Sequence, residues 1–262
     1  MAIESHGPLT ACRVLPLTAL LVALMPILHA QGEVVTYSGK DPNIAINGPH
    51  PNSDAAAAQL KAAAGSVETI TFEDAPMGDF SSLTVGPGVV LHLTNTANLA
   101  PARGITDNTY GGLFNTTPGG SKFVVGEAGS GAGPQTFTFV FSQPIDAFGT
   151  YIPGDWLSDE APTTCEFNDG SNHSIPIPLL PPSESNPSNY CYFGFTDFGT
   201  SISSVTIKTV YTHPNPQPGW SYSWFYALDD VSYHTAPVPE PGTLSLLLAG
   251  SLTLLCLLRR KA

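Results

Sequence analysis

Val67-Glu68-Thr69-Ile70-Thr71-Phe72-Glu73 alternates along its length with a period of two. An extended chain with this order sets Val67, Thr69, Thr71 and Glu73 on one face and Glu68, Ile70 and Phe72 on the other, the pattern of a half-buried strand. Similar short runs recur at 89–93, 122–125, 136–141, 147–151, 163–167, 190–195, 204–210, 224–227 and 230–233. Gly, Pro, Asn and Asp fill the intervals, no helix-length apolar period interrupts the runs, and no repeat of fixed period appears. About ten strands joined by turns predict an all-β fold, a two-sheet antiparallel β-sandwich of jelly-roll type. Composition agrees: 25 Gly and 25 Pro against 11% charged residues favour short strands and turns over long charged helices.

Outward from this core the pattern changes on both sides. Residues 31–52 are polar and turn-rich and read as an extended arm. Ser53-Asp54-Ala55-Ala56-Ala57-Ala58-Gln59-Leu60-Lys61-Ala62-Ala63-Ala64-Gly65 then has a capping residue, an Ala-rich body and a Gly stop, which predict a short helix. Leu60 is its only large apolar residue, so the helix is expected to be peripheral. The first thirty residues hold Arg13, an apolar run from Val14 to Leu28 and a small residue, Ala30, before Gln31, the build of a secretory signal. The organisation expected is a signal at 1–30, arm and helix at 31–66, the β-sandwich at 67–235 and a tail at 236–262.

In that tail, Pro239-Glu240-Pro241 precedes the apolar run Leu244 to Leu258, and the basic cluster Arg259-Arg260-Lys261 follows at once. Fifteen helical residues cover about 23 Å, enough to span a bilayer marginally with help from flanking residues. The basic cluster would stay on the cytoplasmic side and place the preceding domain outside. The three parts in this order closely resemble the PEP-CTERM sorting signal. That resemblance implies recognition by an exosortase, cleavage near Pro239 to Pro241, transient membrane anchoring by the C-terminal helix, and release or attachment at the cell surface. Thr71-Phe72-Glu73-Asp74, Phe137-Thr138-Phe139-Val140-Phe141, Ile145-Asp146-Ala147-Phe148-Gly149, Phe193-Gly194-Phe195 and Leu228-Asp229-Asp230-Val231 resemble exported PEP-CTERM domains, similar in outline to lectin-like and carbohydrate-binding jelly rolls. The likeness implies a sandwich more firmly than it implies sugar binding.

Without the two ends, residues 31–238 carry five basic and nineteen acidic side chains, a net charge of −14. Phosphate backbones need clustered Lys and Arg, so nucleic acid is not an expected partner. Two of the four cysteines remain, Cys165 and Cys191, with twenty-five residues between them. In an oxidising compartment they are a candidate disulfide, worth roughly 3 to 4 kcal/mol on the chain-entropy model. Isolated thiols without clustered histidines make a poor metal site.

Glu73-Asp74 and Asp229-Asp230 flank the first and last strands of the domain, which are often neighbours in a jelly roll. Two carboxylate pairs with nearby carbonyls supply hard oxygen ligands, so Ca²⁺ is the candidate structural ion, against the plainer reading of turn caps and solvated acids. Trp156, with Asp155 and Asp159 beside it, lies in a loop and is the candidate ligand contact, since exposed aromatic faces stack on sugars. The alternating Trp220, Tyr222, Trp224 and Tyr226 read as ordinary core. Asn115-Thr116-Thr117 and Asn172-His173-Ser174 match the glycosylation sequon, which carries little weight beside a bacterial sorting tail.

No His-Glu-x-x-His, Gly-x-Ser-x-Gly, P-loop or glycosidase Glu-x-Asp-x-x-Glu strand is present, and His50, His92, His173, His213 and His234 are scattered. Asp155, Asp159, Glu160 and Glu166 could supply a carboxylate pair, but such spacing is common by chance in an acidic chain. The expectation is therefore a non-enzymatic surface or matrix protein with weak affinity for extracellular polysaccharide; the alternatives are a purely structural coat component and, behind it, a carbohydrate-active enzyme.

Overall fold

The computed structural model describes residues 33–45, 48–95, 103–107, 114–129, 134–153, 163–179, 188–209 and 223–236. They fold as antiparallel β-structure with one helix, and all belong to the unit Gln31–Ala262. The expected signal at 1–30 and sorting tail at 236–262 lie outside the described residues, Ala236 excepted. Among the described residues no helix is long and apolar enough to cross a membrane.

The organising element is β8 (Gln135–Pro153), nineteen residues long. Its first half pairs with β5 (Val89–Asn95) on one side and β12 (Ile202–Thr209) on the other. Its second half pairs instead with β11 (Ser188–Thr196) and β13 (Ser223–Thr235). One strand therefore belongs to two sets of partners. The first set extends through β4 (Ser82–Gly86) at one edge, and through β9 (Thr163–Asn168) and β10 (Asn172–Pro176) at the other. The second carries β1 (Val35–Ile44) beside β11 and β2 (Glu68–Ile70) beside β13. The outer half of β13 also pairs with β7 (Phe123–Gly129), which leads through β6 (Gly104–Thr106) to β3 (Gly78–Asp79).

Burial along β8 follows from what covers it. In the first half Phe137, Phe139 and Phe141 are buried and alternate with outward residues. The outward faces meet as threonine pairs, Thr94 with Thr136 at 2.6 Å and Thr138 with Thr206 at 2.9 Å, a usual way to stabilise a solvated sheet face. From Ile145 the alternation stops, and six consecutive residues, 145–150, are buried, Asp146 among them beside the apolar Ile145, Ala147 and Phe148. Both faces are covered there. Inward, the layers meet through aromatic rings: Phe167 of β9 stacks on Phe195 of β11, centroids 4.1 Å apart and 7° from parallel, and Phe148 packs on Phe139 at 5.6 Å.

Outward, α1 (Pro51–Ala64) lies over β8 and β11. The paired residues Gly149 and Gly194 present no side chain to it. A Cβ on Gly149 would stand 2.1 Å from Tyr192 Oη and 3.1 Å from Leu60 Cδ2, and one on Gly194 3.2 Å from Leu60 Cδ1. The two glycines thus form the seat of Leu60, which is fully buried with Ala56 and Tyr192. The single large apolar residue of the helix suffices because the sheet is hollowed beneath it.

Several expectations from the sequence are corrected here. Residues 35–44 are not an arm but the strand β1, paired with β11 from Val35↔Thr196 to Asp41↔Tyr190. The helix begins at Pro51, before the expected Ser53, and its cap comes from another element. Asp41 of β1 accepts hydrogen bonds from the backbone N–H of Asn52 (3.0 Å) and Ser53 (2.7 Å). These are two of the amides that a helix N-terminus leaves unpaired. Burial alone would raise the Asp41 carboxyl, but the amide hydrogen bonds outweigh it and hold the group below the ordinary carboxylate value. The alternating run at Val67 forms only the three residues of β2, because Phe72 takes a left-handed backbone (φ 62°) and turns its ring into the core.

The expected disulfide is also corrected: Cys165 and Cys191 are both buried and unbonded. The Phe167–Phe195 stack fixes the slide of β9 on β11. Cys165 is two residues from Phe167 and Cys191 four from Phe195, an offset of at least two residues, or about 7 Å along the strands. Burial pushes both thiols up, Cys191 to about 12, so neither is a ready thiolate.

Truncating the seated side chain tests the role of α1. Leu60→Ala is expected to cost about 2–5 kcal/mol in urea unfolding, and Leu60→Met under about 1.5 kcal/mol. Equal small losses would show that the helix contributes little to the sandwich.

Candidate functional site

Adjacent residues on a regular strand point to opposite faces. Asp229 and Asp230 do not, because β13 is irregular between Asp229 and Ser232 and Asp230 has φ 44°. Aspartate tolerates this left-handed backbone better than most residues. The bulge turns both carboxylates toward the segment 114–122. Asp229 Oδ2 accepts from the Thr116 N–H at 2.6 Å, Thr117 Oγ1 donates to Asp230 Oδ1 at 2.6 Å, and Thr116 Oγ1 lies 2.9 Å from Asp229 Oδ2 and 2.7 Å from Asp230 Oδ2.

Thr116 has one hydroxyl proton for two carboxylates. The arrangement is satisfied when that proton goes to Asp230 and a protonated Asp229 donates to Thr116 Oγ1. The surroundings favour this state. Burial, and then the neighbouring Asp230 charge, push the Asp229 carboxyl up to about 8, more than the Thr116 hydrogen bonds pull it down. Asp229 is fully buried, and its Oδ1 finds no hydrogen-bond partner among the described residues.

Glu73 holds the other end of the same segment. Its Oε1 accepts from Asn115 Nδ2, Ser121 N–H and Lys122 N–H, each at 2.9 Å. Lys122 Nζ returns two hydrogen bonds, to the carbonyls of Glu73 (2.6 Å) and Ala75 (2.9 Å). A Cβ on Gly120 would sit 2.3 Å from Glu73 Oε1, so this approach requires glycine. Phe114, at the head of the segment, is buried against Tyr190 with ring centroids 5.3 Å apart. His50 stacks on the same Tyr190 ring at 4.1 Å, and Tyr151 Oη donates to Asp54 Oδ1 at 2.9 Å. Burial pushes the Tyr151 and Tyr190 phenols up, and both stay neutral.

Of the four acids singled out for Ca²⁺, three are thus gathered on one segment, Glu73 at one end and Asp229 with Asp230 at the other, while Asp74 is exposed. Their contacting oxygens are taken by N–H and O–H donors, and the cluster works as a latch on 114–122. The donors Asn115, Thr116, Thr117 and Lys122 were invisible as such in the sequence, where the first three stood out only as a sequon. Trp156, Asp155 and Asp159, the candidate ligand contacts, lie outside the described residues, as do Pro239, Glu240, Pro241, Arg259, Arg260 and Lys261.

A scan against protein-family models and a search of curated proteins give no match. Among solved structures, the chain is similar to the K2 cleaved adhesin domain of Lys-gingipain (Kgp), with 9% identity over 65% of this chain and 100% of that chain and a TM-score of 0.38. A likeness of this degree fixes neither fold nor function.

A second feature is concave. A groove of about 340 Å³ is lined by Glu68, Val89, Phe141, Gln143 and Tyr233, among others. Tyr233 Oη donates to Glu68 Oε2 at 2.8 Å, and burial, then this bond, push the Tyr233 phenol up to about 12.

The latch predicts a pH dependence. Asp229 binds its proton in the folded state up to about pH 8 but releases it near the ordinary value of 3.8 when unfolded. Its contribution is therefore complete below the unfolded value and declines as pH rises toward 8. The melting temperature of the parent is expected to fall between pH 5 and pH 8, and Asp229→Asn should flatten that fall; parallel curves would show that Asp229 is ionised in the fold.

Proposed function

We propose that this chain is an exported surface or extracellular-matrix protein, delivered by its ends and serving there as a structural component with weak affinity for polysaccharide. The observation that carries the proposal is the order of parts in the sequence. An apolar signal-like segment precedes the β-domain, and Pro239-Glu240-Pro241, an apolar run and Arg259-Arg260-Lys261 follow it. In this reading an exosortase-type enzyme recognises the tail, and the apolar run holds the chain in the membrane until it acts. The sandwich belongs to the jelly-roll class, with its last strand set between early and central ones.

The chemistry of the domain supports a structural or binding role over catalysis. Asp229, the most buried carboxyl among the described residues, is held neutral, and Glu73 and Asp230 are engaged with the segment 114–122. A base or nucleophile needs a free, aimed lone pair. The groove beside Tyr233 combines an aromatic ring, an amide and a carboxylate, groups that suit sugar hydroxyls, and its volume falls at the lower end of ligand sites. Ca²⁺ at the acid pairs remains part of the proposal only as an exchange for the latch donors.

Replacement of Pro239-Glu240-Pro241 by alanines tests the sorting half in a host that carries an exosortase. The altered chain is expected to stay in the membrane fraction while the parent reaches the surface or the medium; identical distributions would refute sorting by this motif. For the binding half, retention on the host's exopolysaccharide should fall in Glu68→Gln and Tyr233→Phe. If both variants bind like the parent, the groove is not the contact; if the parent itself is not retained, the purely structural reading stands.

A further inference from the structure

A second group of ionisable side chains lies away from the latch, at the edge of the layer that contains β9. We propose that Asp169, His173 and Asp197 form a Zn²⁺ site that ties the β9–β10 hairpin to the turn between β11 and β12. Asp169 and His173 lie at the tip and first strand residues of the hairpin, and Asp197 directly follows β11. One ligand atom from each of the three, an imidazole nitrogen and two carboxylate oxygens, lies within 4.8 Å of the others. His173 Nε2 is 3.1 Å from Asp169 Oδ1. Tetrahedral Zn²⁺ with ligands at about 2.0–2.1 Å sets neighbouring ligand atoms roughly 3.3 Å apart, so little movement would seat the ion.

Local contacts explain why the three groups face one another but not what they bind. Asp169 is fixed by the Ser171 N–H, which donates to its Oδ1 at 2.8 Å. The His173 ring stacks on Phe167 at 4.7 Å, and Phe167 in turn stacks on Phe195, so the imidazole is oriented from the core outward. Asp197 is held by Thr200, whose hydroxyl lies 3.0 Å from Oδ2 and 2.6 Å from the Asp197 carbonyl, while its own N–H donates to the Asp146 carbonyl at 2.7 Å.

Two features are left over. Asp197 is 1% exposed, yet its Oδ1 finds no partner among the described residues, and His173 Nε2 makes no well-aligned hydrogen bond despite its closeness to Asp169. The Asp169 and Asp197 carboxylates are also within hydrogen-bond reach of each other, an arrangement that two bare anions do not hold. A divalent cation answers all of these at once: it takes the unpartnered Asp197 oxygen, replaces the proton between His173 Nε2 and Asp169, and offsets the repulsion between the acids. The imidazole selects among cations, since Ca²⁺ and Mg²⁺ take oxygen ligands whereas Zn²⁺ accepts nitrogen with carboxylates. The His173 side chain is 28% exposed, which leaves a route for the ion and for a water as fourth ligand.

The test uses the full-length protein in mild detergent after treatment with chelator. Calorimetric titration with ZnCl₂ should show one ion bound per chain, a rise in melting temperature that EDTA reverses, and, with Co²⁺ in its place, a visible absorption band of four-coordinate strength. His173→Gln and Asp197→Asn should each weaken binding by at least about tenfold. Should Asp197→Asn not fold, as judged by circular dichroism, Asp169→Asn at the hairpin tip takes its place. No uptake at micromolar Zn²⁺, uptake unchanged in the variants, or a thermal shift given by Ca²⁺ and not by Zn²⁺ would each overturn the proposal.

Discussion

Everything in this domain hangs on β8 being shared. A strand whose first half faces water on one side and whose second half is covered on both must change its sequence pattern midway, and it does. Phe137, Phe139 and Phe141 alternate with outward residues, and then 145–150 run without an exposed position. Covering the second half from outside needs something thin, because the sheet itself is close-packed. The paired glycines Gly149 and Gly194 remove two side chains, and Leu60 fills the space. The helix is then fixed at its start by Asp41, so β1, α1 and the centre of the sheet hold one another in place.

The acidity of the chain has two structural uses. At Asp41 a buried carboxylate is kept ionised by the amides of a helix N-terminus. At Asp229 a buried carboxyl is kept neutral by its surroundings and by the charge of Asp230. The difference is the supply of donors. Two backbone N–H groups and the Asn52 side-chain amide face Asp41, whereas Asp229 has the Thr116 N–H and a hydroxyl that it shares with Asp230. Glu73 gathers three donors on a single oxygen. These carboxylates bring distant segments of the chain together, and Thr116 lies 113 residues from the aspartate that holds it.

Much of the fold was legible in the sequence because alternation is a local signal. The runs at 136–141, 163–167 and 190–195, and that from Ser204 as far as Thr209, all appear as strands, and the Ala-rich helix ends at the glycine that marks it. What was not legible depended on partners. The polar residues 35–44 read as an arm, since β1 is an edge strand whose place comes from pairing with β11 rather than from apolar content. The run at Val67 broke early because Phe72 adopts a backbone that no propensity would assign to it. Two cysteines in an expected oxidising compartment suggested a bridge, yet the ring stack between β9 and β11 sets their positions out of register. At the site, Glu73, Asp229 and Asp230 were singled out as a Ca²⁺ set, whereas in the fold they hold different residues of one segment, and the groups they hold are threonines, an asparagine and backbone amides, which carry no mark in a sequence. His173 was noted only as isolated; its neighbour Asp169 is four residues away, but Asp197 comes from the next strand's end.

The proposed life of the protein is export, removal of both ends, and service outside the cell with two buried, unpaired thiols. Intact mass of the protein recovered from the medium, measured with and without a reductant, addresses that account most directly. It predicts a species that begins near Gln31, ends near Pro239 and has the same mass in both measurements. A chain that retains its residues to Ala262 would contradict processing at the Pro-Glu-Pro tail, and a gain of two daltons on reduction would contradict the packing that separates Cys165 from Cys191.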